Sequence, residues 1–208
     1  MASIASVTLD VADPSAADRF YTTAFGLDTQ IRLRASEAPT TGFRGFTLAL
    51  TVSQPATVNN LIDAALDAAA TPLKPAAKSF WGYGGVVRAP DGTIWKVATS
   101  AKKDTGPDTR RIDEIVLLLG VVDVVASKRF YVERGLAVAK SFSRMYVEFA
   151  AGSSPVKLAL YRRRALAKEV GVAPEGTGSH RLMIGGHAGP FTDPDGFAWE
   201  AASLTPTS

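Results

Sequence analysis

Residues 13–21 read DPSAADRFY and residues 123–131 read DVVASKRFY, while residues 89–95 read APDGTIW and residues 193–199 read DPDGFAW. One unit is written twice. Both copies carry an aspartate, then a Phe-Tyr pair, and finally a Pro-Asp-Gly turn followed by tryptophan three residues after the glycine. An internal repeat sets the architecture in which any site must lie, so it is read before single residues. It predicts an N-terminal unit over 1–100, a linker over 101–111 and a C-terminal unit over 112–205. The linker stretch is polar, holds Gly106-Pro107 and lacks periodicity.

Within the first unit, Val7, Leu9 and Val11 alternate with Thr8 and Asp10, the pattern of a half-buried strand. Asp13 and Pro14 form a helix start, and Gly26 suits a helix end. A strand over 28–34 follows, then another over 46–52. A helix then places Val58, Leu61, Ile62, Ala65, Leu66 and Ala69 on one face. Extended segments flank Ala89-Pro90-Asp91-Gly92, a hairpin signal. In the second unit the apolar run from Ile115 to Val122 predicts a strand buried on both faces. A helix over 123–134 stops at Gly135. Extended segments near 138, 145–149 and 156–161 lead into a short helix over 163–170.

The chain has 208 residues, 46% of them hydrophobic and 21% charged, the balance of a folded globular protein. Its net charge is +3, and the short runs Lys102-Lys103, Arg110-Arg111 and Arg162-Arg163-Arg164 carry part of the excess. No basic stripe interleaves with aromatics, so nucleic acid is not an expected partner. Cysteine is absent, which excludes disulfides, thiolate metal sites and a thiol nucleophile. The N-terminus has the pattern of a strand and not of a signal peptide, and no apolar run is long enough to span a bilayer. A cytoplasmic location without membrane contact is the expectation.

The strand, the D-P-x5-FY helix ending in GL, and the terminal F-x-D-P-D-G-x-x-W-E segment together resemble the vicinal oxygen chelate superfamily. That group includes glyoxalase I, the bleomycin and fosfomycin resistance proteins, methylmalonyl-CoA epimerase and extradiol dioxygenases. The stretches SFWGYGGVVRAPDGTIW (79–95) and LALYRRRALAKEVGVAPEGTG (158–178) are similar to segments of bacterial glyoxalase-like proteins. The resemblance implies an α+β fold of two glyoxalase-like units, built from βαβββ motifs whose curled mixed sheets form incomplete barrels. Measured against it, the first unit lacks a hairpin between Arg34 and Phe46, and the second lacks a helix between Ile184 and Gly189.

Enzymes of this group hold a divalent cation with His, Gln or Glu from first strands and a Glu after the D-P-D-G turn. The cation then polarises substrate oxygens as a Lewis acid. At the matching positions the first unit has Ser6, Thr47 and Lys96, and a protonated lysine offers a cation no lone pair. The second unit has Glu114, Met183 and Glu200, with His180 three residues back on the opposite strand face. The weak metal candidates are therefore Glu114, His180 and Glu200, and no cofactor is expected.

The leading expectation is a glyoxalase-like protein that binds a small organic molecule in a metal-free, aromatic-lined cavity. Trp81, Tyr83, Lys96, Trp199 and Arg144 are its candidate contacts. One alternative is a metal-dependent lyase, isomerase or dioxygenase using Glu200 and Glu114 as ligands or as an acid-base pair. Another is a non-catalytic structural or regulatory module whose cavities have collapsed. Glu114 also has a plain structural reading, as the partner of an arginine such as Arg144 or Arg181. Sheet edges left by the missing segments also allow a homodimer.

Overall fold

The computed structural model describes residues 2–107 and 109–202. Asp108 of the expected linker and the expected end of the second unit at 205 lie outside them. Four motifs follow one another. The first is β1 (Ile4–Val11), α1 (Pro14–Phe25), β2 (Arg32–Ala35) and the short β3 (Thr40–Gly42). The second is β4 (Phe46–Thr51), α2 (Pro55–Asp67), β5 (Thr71–Ser79), β6 (Gly82–Arg88) and β7 (Ile94–Thr99). After the linker come β8 (Glu114–Val121), α3 (Val124–Glu133), β9 (Val138–Phe142), β10 (Tyr146–Phe149) and β11 (Val156–Arg162). Helix α4 (Arg163–Val170) and strand β12 (Gly176–Gly178) lead to the last motif, β13 (Leu182–Gly186), β14 (Phe191–Thr192) and β15 (Ala198–Ala201).

The helix starts follow their sequences. Asp13 accepts from the Ala16 amide at 3.0 Å, and Pro14 opens α1. Asp123 accepts from the Val125 and Ala126 amides at 2.9 and 3.1 Å. Gly26 ends α1 at φ 68°, a left-handed conformation that a side chain would strain. Strand β5 was not expected, because Pro72 and Pro75 interrupt it. It survives at the outer edge of its sheet, where fewer ladder bonds are demanded. The expected strand over 28–34 begins only at Arg32.

The strands combine in an order that the repeat alone does not reveal. An eight-stranded sheet runs β5-β6-β7-β4-β8-β11-β10-β9, and a five-stranded sheet runs β14-β15-β13-β1-β2. Each sheet therefore joins a motif from one side of the linker to a motif from the other. The antiparallel β4 and β8 pairing sets Thr47 opposite Leu118, Ala49 opposite Val116 and Thr51 opposite Glu114. Likewise β1 pairs antiparallel with β13. Both sheets mix parallel and antiparallel neighbours and curl without closing into a barrel. Where the first unit lacks a hairpin, β3 pairs with its sequence counterpart β12, and the Thr41 and Thr177 hydroxyls meet at 2.8 Å. No helix occupies the stretch between Ile184 and Gly189.

Side chains on the inner faces of both sheets merge with those of α1, α2 and α3 into one core, which includes Phe25, Leu48, Leu61, Leu117 and Ile184. The repeated Phe-Tyr pair ties the sheets together across it. Tyr21 on α1 donates to Asp91 Oδ2 at 2.6 Å, and Tyr131 on α3 donates to Asp193 Oδ2 at 2.6 Å. The second bond uses the first Asp of D-P-D-G. Its other aspartate, Asp195, instead accepts from the Val122 amide at 2.7 Å and the Ser127 hydroxyl at 3.0 Å beside the start of α3.

A buried side chain, Gln54, holds the linker backbone at 105–107. Gln54 Oε1 accepts from the Thr105 and Gly106 amides at 2.9 and 3.1 Å, and its Nε2 donates to the Gly106 and Pro107 carbonyls at 3.2 and 2.9 Å. Gln54→Ala should therefore lower unfolding free energy by about 1–3 kcal/mol and speed trypsin cleavage at Lys102-Lys103. Gln54→Glu, which keeps the acceptors and loses the donors, should fall between. A denaturant melt and a timed digest of the three proteins check this, and equal cleavage rates would show that Gln54 does not restrain the linker.

Candidate functional site

Alternation decides which side chains leave the core. On β4, Phe46, Leu48 and Leu50 belong to the core, so Thr47, Ala49 and Thr51 point to the concave face. The same period sends Lys96 and Ala98 outward from β7, Val116 and Leu118 from β8, Tyr161 from β11, and Tyr146 and Glu148 from β10. Together they line a cavity of about 740 Å³ on the eight-stranded sheet. Helix α4 closes one end by packing Leu166, Ala167 and Val170 against Phe43, Val86 and Ile94. Its C-terminal carbonyls at Lys168 and Glu169 accept from Lys74 Nζ at 2.9 and 2.6 Å. The mouth is aromatic: Trp81 projects from the β5–β6 hairpin and Phe142 and Met145 from the β9–β10 hairpin.

Charges stand in pairs in this cavity and on the sheet face beside it. Lys96 is bonded to Glu169 of α4. Lys157 Nζ meets Glu114 Oε1 at 2.5 Å and lies 3.8 Å from Glu148 Oε1, which Lys140 approaches to 3.6 Å. The Tyr146 hydroxyl donates to Glu148 Oε2 at 3.0 Å. Burial first, then the Glu148 charge and the hydrogen bond to it, push the Tyr146 phenol well above its ordinary range. Burial and the nearby Glu169 carboxylate raise Tyr161 in the same sense.

The outer face of the five-stranded sheet carries Ser6, Thr8 and Asp10 from β1, Met183 from β13 and Glu200 from β15. Arg34 forks onto Asp10 at 2.7 and 3.0 Å, and the Glu200 charge acts on it as well.

Two curled sheets, the larger assembled from two βαβββ motifs, make a glyoxalase-like fold. Among solved structures, glyoxalase I from Zea mays shares it over 96% of this chain and 91% of its own, at 13% identity and a TM-score of 0.61. Two variants of that maize enzyme give TM-scores of 0.59 and 0.58 at 14% identity, covering 96% and 95% of this chain and 91% and 92% of theirs. No family model matches the sequence, and no curated protein matches it. Among the described residues, no helix is long and apolar enough to cross a membrane.

Of the residues singled out from sequence, Lys96 and Trp81 line the large cavity. Glu114 stands on the same sheet, and its partner is Lys157 instead of Arg144 or Arg181. Arg181 donates to the Ala38 carbonyl at 3.0 and 2.8 Å, and Arg144 is exposed in the β9–β10 turn. Tyr83 turns toward α2, donating to Asn59 Oδ1 at 2.8 Å. Trp199 is 3% exposed in the core and donates to the Tyr131 hydroxyl at 3.3 Å. His180 stacks on Phe197 at 4.1 Å, with Nδ1 2.5 Å from the Arg44 carbonyl and Nε2 3.2 Å from the Asp195 carbonyl. Both ring nitrogens are thereby engaged.

Glu200 and Glu114 lie on different sheets, so they do not form one acid-base or ligand pair. The donors do not fit a metal on either face. Glu200 shares its face with Ser6, Met183 and an arginine-bound Asp10, and Thr47 and Lys96 occupy the corresponding places in the large cavity. Among the described residues, no group of three or more His, Asp or Glu is gathered for a cation.

Sequence reasoning missed Glu148, Glu169, Tyr146, Tyr161 and Lys157. Period two in YVEF (146–149) and VKLALYR (156–162) could have placed Tyr146 with Glu148 and Lys157 with Tyr161. Nothing local could have brought Glu169 to Lys96.

Two outcomes follow. Tyr21, Tyr131 and Tyr146 are all raised, chiefly by burial. Above pH about 10 the unfolded phenols ionise while the folded ones stay protonated, so stability should fall as pH rises further. Tyr146→Phe should flatten that fall, as read from melts across alkaline pH, and an unchanged slope would contradict the assignment. Glu200→Gln should alter stability by less than about 1 kcal/mol, because Arg34 is half exposed and already holds Asp10. A loss several times larger in a denaturant melt would reveal a stronger pairing than the geometry provides.

Proposed function

We propose that this chain binds a small, largely apolar organic molecule in the cavity of the eight-stranded sheet. The observation that carries the reading is the cavity itself: about 740 Å³, floored by Ala49, Ala98, Val116 and Leu118 and edged by aromatics. That size suits a small ligand, and an apolar floor with few polar groups at its margins is the usual composition of such sites. Trp81 and Phe142 are 82% and 63% exposed, and covering them with a flat ligand would remove apolar surface from water.

The alternative of a metal-dependent lyase, isomerase or dioxygenase built on Glu200 and Glu114 draws less support, because those carboxylates occupy separate sheets. The open cavity likewise weighs against a module whose sites have collapsed. Binding without metal rests on the side chains present, where Lys96 and Thr47 take the places at which the resemblance implies ligands.

Naphthalenemethanol, a neutral flat probe, tests this. It should raise the melting temperature saturably and quench the fluorescence of Trp81, whereas Trp95 and Trp199 are buried. Ala49→Phe, which fills the floor from outside the core, should abolish both effects while leaving the unliganded melt within about 1 kcal/mol of the parent. An absent or non-saturable shift in the parent protein would overturn the reading.

A further inference from the structure

We infer that Glu148 makes the cavity selective for organic cations, seating a protonated amine against its Oε1 while the apolar body of the ligand lies on the floor. This rests on the cavity being a ligand site.

The argument is an asymmetry among the ion pairs. Lys96 and Lys157 each have a carboxylate in close contact, Glu169 and Glu114. An anionic ligand reaching either ammonium must share its donors with that carboxylate and sit beside a like charge, which disfavours it. Glu148 is placed differently. Its side chain is only 12% exposed, yet among the described residues its hydrogen bond comes from Tyr146 and occupies Oε2. Oε1 has only the longer approaches of Lys140 at 3.6 Å and Lys157 at 3.8 Å. It retains acceptor capacity on the cavity wall.

Lys140 is the partner that yields. Its side chain is 61% exposed at the rim, so an incoming cation can displace it into water at little cost. Lys157 can retain Glu114. The surroundings suit a cation as well. Tyr146 and Phe142 lie 6.0 Å apart and Tyr146 and Tyr161 6.1 Å apart, so aromatic rings flank the Glu148 wall. Burial is the largest cause of the upward displacement of Tyr146, and the Glu148, Glu114 and Glu169 carboxylates add to it. A phenol that stays protonated also goes on donating to Oε2, leaving Oε1 to the ligand.

The test compares naphthalenemethylamine, naphthalenemethanol and naphthoate at neutral pH by calorimetry. The amine should bind about tenfold tighter than the alcohol, with naphthoate weakest. Glu148→Gln should erase the advantage of the amine over the alcohol, and a cooperative unliganded melt like that of the parent shows that the variant is folded. Lys140→Ala should strengthen amine binding by removing the competing ammonium. Equal binding of the three probes, or an amine preference that survives in Glu148→Gln, would overturn the inference and leave the proposed function standing. Naphthoate binding tightest would overturn it as well. If no probe bound the parent protein, the cavity reading itself would fall and this inference with it.

Discussion

The antiparallel seam between β4 and β8 is the constraint on which the rest depends. It joins the last motif before the linker to the first motif after it, and its register puts Thr47 beside Leu118 and Ala49 beside Val116. Because side chains alternate, a slip of one residue would turn this apolar floor into the core and Leu48 and Leu117 toward solvent. Those core positions are fully buried, so such a slip would expose large side chains at about 1.5–3 kcal/mol each. The register is thus enforced from the inner face, and the cavity inherits it.

The connection across that seam is short and restrained. Gln54 holds Thr105, Gly106 and Pro107, while Arg110 donates to the Thr23 and Ala24 carbonyls at 2.8 and 2.6 Å near the end of α1. The Tyr21 to Asp91 and Tyr131 to Asp193 bonds clamp the two sheets from within each half. With rigid elements behind it, the cavity face is free to carry partly satisfied polar groups. Glu148 Oε1 can keep unused acceptor capacity there because solvent and Lys140 stand beside it, a condition that the dry core would not permit.

The two faces have diverged by what the intervening segments supply. On the eight-stranded sheet, two complete βαβββ motifs make a broad curled surface, and α4 adds a wall carrying Glu169. On the five-stranded sheet the motifs are truncated, and Arg34 spends its charge on Asp10 beside Glu200. Lys96 finds its partner only once α4 is in place. The ammonium and the Glu169 carboxylate then neutralise each other at the cavity end.

Local chemistry made much of this legible beforehand. Asp13-Pro14 and Asp123 mark helix starts because a carboxylate caps exposed amides, and the Pro-Asp-Gly turns announce the paired terminal strands. The alternation of Val7, Leu9 and Val11 separates core from surface, and the repeat establishes duplication. What escaped was the pairing between copies, since hydrogen bonding between distant strands leaves no mark in either segment. The expectation that Trp199 lines a cavity failed for the same reason, as an aromatic in a strand pattern faces whichever layer the tertiary stack provides. Glu114 finding Lys157, Glu169 reaching Lys96, and Glu148 standing at the cavity wall with acceptor capacity to spare were decided by packing alone. A residue's neighbour in a curled sheet is set by register and curvature across the whole chain, whereas a cap or a turn is set by the few residues that form it.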